Sequence, residues 1–142
     1  MRTIRVEKDL WLKEFSENAH LSVFEPDVGY EPGSLDFALM TIDEEKDAPI
    51  IYTTVKDLPK KGAYIEFGGS FPDYRGSSKV LRAFIQMTDY FRVENYKFVC
   101  FGCRNNNIPM NRLGLSAGYI PTGMLYDREK LFLEYTKEFT NG

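Results

Sequence analysis

The sequence predicts an α+β fold: a mixed, mostly antiparallel β-sheet flanked by helices, with one parallel β-α-β crossover at its centre. Three observations predict it. Val80, Leu81, Phe84, Ile85, Thr88 and Phe91 recur at helical spacing. Strand-like runs over 63–67 and 96–103 bracket that helix, and a strand–helix–strand unit joins parallel neighbours by a right-handed crossover. The remaining strand-like runs follow one another through short polar turns, as antiparallel hairpins do.

Each element has a local cause. Thr3-Ile4-Arg5-Val6 alternates and predicts the first strand. Asp9 is placed to cap a helix over 10–18, with Leu12 and Phe15 on its inner side. Two prolines and two glycines make 25–33 a loop. Strands over 35–42 and 49–55 form a hairpin around the acidic stretch 43–47, which suits a solvated turn. Lys60-Lys61-Gly62 turns the chain into the strand over 63–67, closed by Gly68-Gly69. Ser77 or Ser78 caps the long helix. The run over 96–103 is mostly apolar, which suits a central strand. Asn105-Asn106-Asn107 leads into a short helix over 108–117, ended by Gly118. Runs over 119–126 and 130–136 form a closing hairpin around Asp127-Arg128.

Composition bounds the function. A length of 142 residues with 43% apolar content suits one domain, 1–142, with one core. A net charge of -3 argues against a broad nucleic-acid footprint. Apolar runs stay well short of the roughly 20 residues of a membrane span, and the charged N-terminal stretch does not suit a signal peptide. A cytoplasmic, reduced chain is therefore expected. Cys100 and Cys103 lie in a strand-like run, whereas a redox Cys pair opens a helix. With no second Cys/His pair to complete a zinc site, both cysteines suit a structural role, and no metal is expected. His20 is the lone histidine and suits a surface or capping position.

Two segments, FPDYRGSSKVLRAF and NNIPMNRLGLSAGY, sit in this element order so that the chain resembles the GNAT superfamily of N-acetyltransferases. The resemblance implies acetyl-CoA as cofactor. Arg75, Gly76, Ser77, Ser78 and Lys79 would form the pyrophosphate loop, where backbone N–H groups at a helix N-terminus meet the anion. The backbone of Phe67, Gly68 and Gly69 would receive the pantetheine arm beside a bulge at Gly68-Gly69. Asn107 would start the family's late helix. Glu66 would be the base that takes a proton from an acceptor amine, directly or through water. That amine would sit between 25–33 and the last hairpin. Tyr30, Tyr52, Tyr64, Tyr74 and Tyr126 would line a groove or fill the sheet, and Tyr119 suits the core.

The sequence also departs from the family pattern. Ser78 and Val80 stand where small residues are usual, and Val80 adds β-branched bulk at the expected phosphate approach. Gly114 stands where a leaving-group acid, Tyr, is often found. These departures imply an alternative: a GNAT-fold protein without catalysis, acting on protein partners in an assembly. The layout is also similar to an internal virion protein of podophages, which would place such a chain inside a phage particle.

Overall fold

A computed structural model describes residues 1–23 and 34–140. Seven strands make one sheet: β1 (Arg2–Glu7), β2 (Phe37–Asp43), β3 (Ala48–Leu58), β4 (Gly62–Ser70), β5 (Phe98–Arg104), β6 (Ile120–Asp127) and β7 (Lys130–Glu138). Their spatial order is β1-β2-β3-β4-β5-β7-β6. Every neighbouring pair is antiparallel except β4 and β5, which run parallel. The helix α3 (Ser78–Val93) joins those two, so the expected fold class and its central crossover are both present.

The sheet buries both faces. On one, α3 presses Ala83, Phe84, Met87 and Phe91 onto Phe37, Leu39, Val55, Ala63, Ile65, Val99 and Phe101. The short helix α4 (Ile108–Ser116) covers the same face, where Gly114 meets Phe101 and Tyr135. The smaller core on the other face gathers Val6, Trp11, Ala19, Ala38, Met40 and Tyr52. It lies under α1 (Lys8–Leu10), a π-helical turn (Trp11–Phe15) and α2 (Ser16–Val23).

This first helical region differs from its expectation. It starts at Lys8 with Glu7 as N-cap, so Asp9 lies within the first turn. Among the residues with described side chains, Trp11, Ser16 and Ala19 are buried, while Leu12 is half-buried and Phe15 is 39% exposed. The cause is the π turn: its i→i+5 bonding brings Ser16 under Trp11 and shifts the phase of the α2 residues after it. Trp11 then stacks on Tyr52 with ring centroids 5.3 Å apart. The side chain of His20, and the loop expected over 25–33 with Tyr30, lie outside the described residues.

Two further differences concern β4 and the final hairpin. Gly68 and Gly69 lie inside β4, paired with Thr53 and Tyr52, and do not close it. The bulge lies earlier: Thr54 faces Phe67 and Val55 faces Ile65, which leaves Glu66 as the extra residue. The β6–β7 turn centres on Arg128 and Glu129, with φ of 50° and 64°. Paired left-handed residues match the twist of a two-residue hairpin loop. Cys100 and Cys103 are buried free thiols; three residues apart on a strand, they point to opposite faces. No helix among the described residues is long and apolar enough to cross a membrane.

Candidate functional site

The parallel pair is short. β4 and β5 are in register from Gly62 opposite Phe98 to Ile65 opposite Phe101. Beyond that point β4 continues along β3 to Ser70, and β5 continues along β7 to Arg104. The strands therefore part in a V at their C-terminal ends. The bulge at Glu66 falls at the point of divergence and bends β4 there. Past Ile65, β4 pairs with no strand on its β5 side among the described residues. Two helices begin beyond the same strand ends: α3 after β4 and α4 after β5. The carboxyl ends of parallel strands, faced by helix N-termini, are the favoured ligand position of such crossovers.

The loop from β4 to α3 is tightly built. Pro72–Tyr74 forms a 3-10 turn, Gly76 takes φ +78°, and Ser77 caps α3. Ser77 Oγ accepts from the Lys79 N–H at 3.0 Å, and the Ser77 carbonyl accepts from the Val80 N–H at 3.2 Å. A Cβ built on Gly76 would meet nothing within 4 Å, so the space above the loop is open. Val80 is half-buried and packs against the α3-side core. Arg75 is exposed and its Nε donates to the Ser70 carbonyl at 3.4 Å, tying the loop to the end of β4. Ser78 is exposed on the first turn of α3.

Lys79 is placed differently from its neighbours. Its Nζ lies 2.8 Å from Asp43 Oδ2, and the Tyr74 hydroxyl donates to the same oxygen at 3.1 Å. Asp43 is 5% exposed. The hydrogen bond from Lys79, helped by that from Tyr74, outweighs burial and holds the Asp43 carboxyl down at about 2. Lys79 therefore anchors the loop to the β2–β3 hairpin. The acidic stretch 43–47 suits a solvated turn, yet its first residue, Asp43, ends β2 and is buried. The signal that locates it is alternation: Phe37, Leu39, Thr41 and Asp43 share the face that α3 covers.

Glu66 is half-buried and accepts a hydrogen bond from the Ser34 hydroxyl. Gly68 has no room for a side chain, because a Cβ there would lie 2.8 Å from Thr53 Cγ2 and 2.9 Å from the Tyr52 carbonyl. Asn107 caps α4, its Oδ1 accepting from the Met110 N–H at 3.2 Å. Across the sheet from the α3 face, Tyr64 pairs with Cys100, and Gly102 pairs with Glu134. Burial pushes the Tyr64 phenol up, with Cys100, Glu134 and Glu66 adding to it. Burial also pushes the Cys100 thiol up to about 11. Tyr52 and Tyr74 are core residues, and Tyr126 is 69% exposed on β6.

No family model matches the sequence, and the search among curated proteins finds no match. Solved structures do match. The chain is similar over 99% of its length to a ribosomal-protein alanine N-acetyltransferase from Escherichia coli, 96% of which it covers, at TM-score 0.74 and 8% identity. It is similar over 99% of its length to a chain of the NatC complex bound to Gag peptide and CoA, covering 100% of that chain, at TM-score 0.71 and 15% identity. Other matches are described as acetyltransferases of the GNAT family. The chain has the GNAT fold. A candidate streptothricin acetyltransferase from Bacillus anthracis, solved with acetyl coenzyme A, is matched over 73% of this chain at TM-score 0.61 and 15% identity. The chain spans 62% of that protein's length.

The late helix α4 is sealed against the core at Gly114. Gly114 is buried, and a Cβ there would lie 2.7 Å from Phe101 Cζ. Phe101 in turn stacks on Tyr135 and meets Phe84 and Tyr119 edge-on. Tyr119 is 1% exposed, hydrogen-bonded with Thr88 at 2.8 Å, and its phenol is pushed up by burial. Tyr135 is buried and donates to Asn111. The half-buried Tyr64 is thus the described phenol that stands on β4 next to the divergence.

Proposed function

We propose that the protein is a GNAT-type N-acyltransferase, moving an acyl group from an acyl-CoA thioester to an amine. The observation that carries this reading is the V between β4 and β5, in line with the capped, open loop that starts α3. Bound acetyl-CoA would supply an acyl carbonyl activated by its thioester. The main chain of Phe67, Gly68 and Gly69 would take the pantetheine arm, and Gly76, Ser77 and Ser78 would face the pyrophosphate at the positive end of the α3 dipole. Arg75 would add a cation at the loop's rim. The Asp43–Lys79 pair would hold the loop in place. Glu66, oriented by Ser34, would accept the proton that the amine loses, directly or through one water. Tyr64, a phenol and so protonated at neutral pH, would be the nearby donor to the departing CoA thiolate. Asn107 would fix the start of α4 beside the cleft.

Titration with CoA and acetyl-CoA by calorimetry tests this. Micromolar binding is expected. Ser78→Glu is the discriminating variant: an acid in the first helical turn favours the helix but repels a diphosphate. Binding should weaken about tenfold or more while the melting temperature holds. Glu66→Gln should retain cofactor binding and lose amine acylation. Absence of binding at millimolar ligand, or binding indifferent to Ser78→Glu, removes the reading. The alternative, a non-catalytic virion or assembly component, draws support from the exposed apolar strand β6.

A further inference from the structure

We infer that Gly102, Tyr64 and Glu134 form an acceptor subsite beside the V, suited to an aliphatic diamine or polyamine whose second ammonium sits at Glu134. The inference rests on the acyltransferase reading and names its amine. Gly102 carries it. Glycine weakens a strand interior, where it packs nothing, and often marks a place that a ligand approaches closely. Gly62 and Gly68 of β4 are hemmed in by Phe98 and Thr53, so the fold itself demands them. Gly102 has no such cause. Its φ lies outside the left-handed region, β5 pairs with β7 there without a bulge, and a Cβ would meet nothing closer than 3.8 Å. One of the atoms at that distance is the Tyr64 hydroxyl oxygen, which makes no hydrogen bond among the described residues.

Register sets what borders this gap. Val99, Phe101 and Cys103 face the α3 core, so Gly102 faces the other side of β5, with Cys100. Its cross-strand neighbour is Glu134. On β4, Tyr64 pairs with Cys100, so Glu66 and Gly102 each lie two residues past that pair. Beyond the burial that raises it, the Tyr64 phenol feels Cys100, Glu134 and Glu66. The row across the sheet is therefore carboxylate, no side chain, carboxylate, with two strand spacings, roughly 10 Å, between the outer backbones. Ser34 engages Glu66. The Glu134 carboxylate accepts only from Thr122 Oγ1, at 3.5 Å, and forms no ion pair among the described residues, not even with Arg104 on the same face of β5. An extended diamine matches the row. Its reacting amine meets Glu66, its methylene chain lies over Gly102, and its second ammonium reaches Glu134. The reacting amine exchanges a proton for the acyl group, CoA leaves as the thiol, and the second ammonium is unchanged.

Calorimetric titration of the CoA-bound protein with 1,5-diaminopentane and with pentylamine tests the inference. The diamine should bind at least about tenfold more tightly, the gain expected of one hydrogen bond between charged groups. Glu134→Gln should abolish that preference. Gly102→Val should keep or raise the melting temperature, since a β-branched residue suits an unhindered strand position, yet weaken diamine binding at least about tenfold. Equal affinities for the two amines overturn the inference. So does a preference that Glu134→Gln leaves intact, or a Gly102→Val variant that melts far below wild type. Preference for a basic peptide over the diamine overturns it too. In all these cases CoA is bound and the acyltransferase reading stands; a protein that binds no CoA at millimolar ligand removes both.

Discussion

Gly114 shows how one residue can decide what a helix contributes to a cleft. Its Cα faces the edge of Phe101, and that ring is held by Phe84, Tyr119 and Tyr135. The ring cannot swing aside without disturbing three other aromatics, so a methyl group at this position must overpack the core. Gly114→Ala should destabilise the protein by about 1–2 kcal/mol, the overpacking cost less the gain in helix propensity. Urea unfolding measures it, and a stabilised variant would show that the aromatic cluster yields. The sequence marks Gly114 as a departure, but the ring that fills its place is thirteen residues earlier, on another element. Such a pairing is not visible in a linear pattern. Asp43 is a milder case. Alternation along β2 reaches it, yet its acidic neighbours suggest only a solvated turn.

Elements differ in how openly the sequence announces them. α3 is legible because its apolar stripe and its serine cap agree. The parallel crossover comes from that helix and its flanking runs, whereas the place of β7 between β5 and β6 has no mark in the sequence. The first helical region is misphased in the sequence pattern because a π turn has no periodic signature of its own. The bulge falls at Glu66, where no glycine marks it, since register is set by pairing with β3. The loop before α3 is legible in position, but its anchoring is not: Lys79 reaches back 36 residues to Asp43. That anchor has a pH signature. The Asp43 carboxyl sits at about 2, below the ordinary value near 3.9. Its stabilising contribution is fully present above about pH 4 and is lost as pH falls through about 2. Thermal melts from neutral pH down to acid should show the gap between wild type and Asp43→Asn closing over that window. Parallel curves would mean that the pair does not hold the loop.

At the scale of the whole molecule, the sheet consists of two antiparallel sets, β1 to β4 and β5 with β7 and β6. Four residue pairs of parallel ladder join them, and α3 packs across β1, β2, β3 and β5 to reinforce the join. The join links residues 36 positions apart, Gly62 and Phe98, and has four pairs to reward the closure; β1–β2 and β5–β7 span up to 40 positions (Arg2 to Ile42, Phe98 to Glu138) but make six and seven pairs. Closing so large a loop costs entropy before any contact rewards it. The join is therefore expected to form after the rate-limiting step of folding. Val99→Ala, at a fully buried position in the join, should speed unfolding and leave the folding rate nearly unchanged, with a φ-value of about 0–0.3. A chevron in which Val99→Ala slows folding instead would make the join part of the nucleus. The short parallel ladder thus has a second consequence besides opening a cleft: it gives the chain a late kinetic step at the place where a ligand would bridge its two halves.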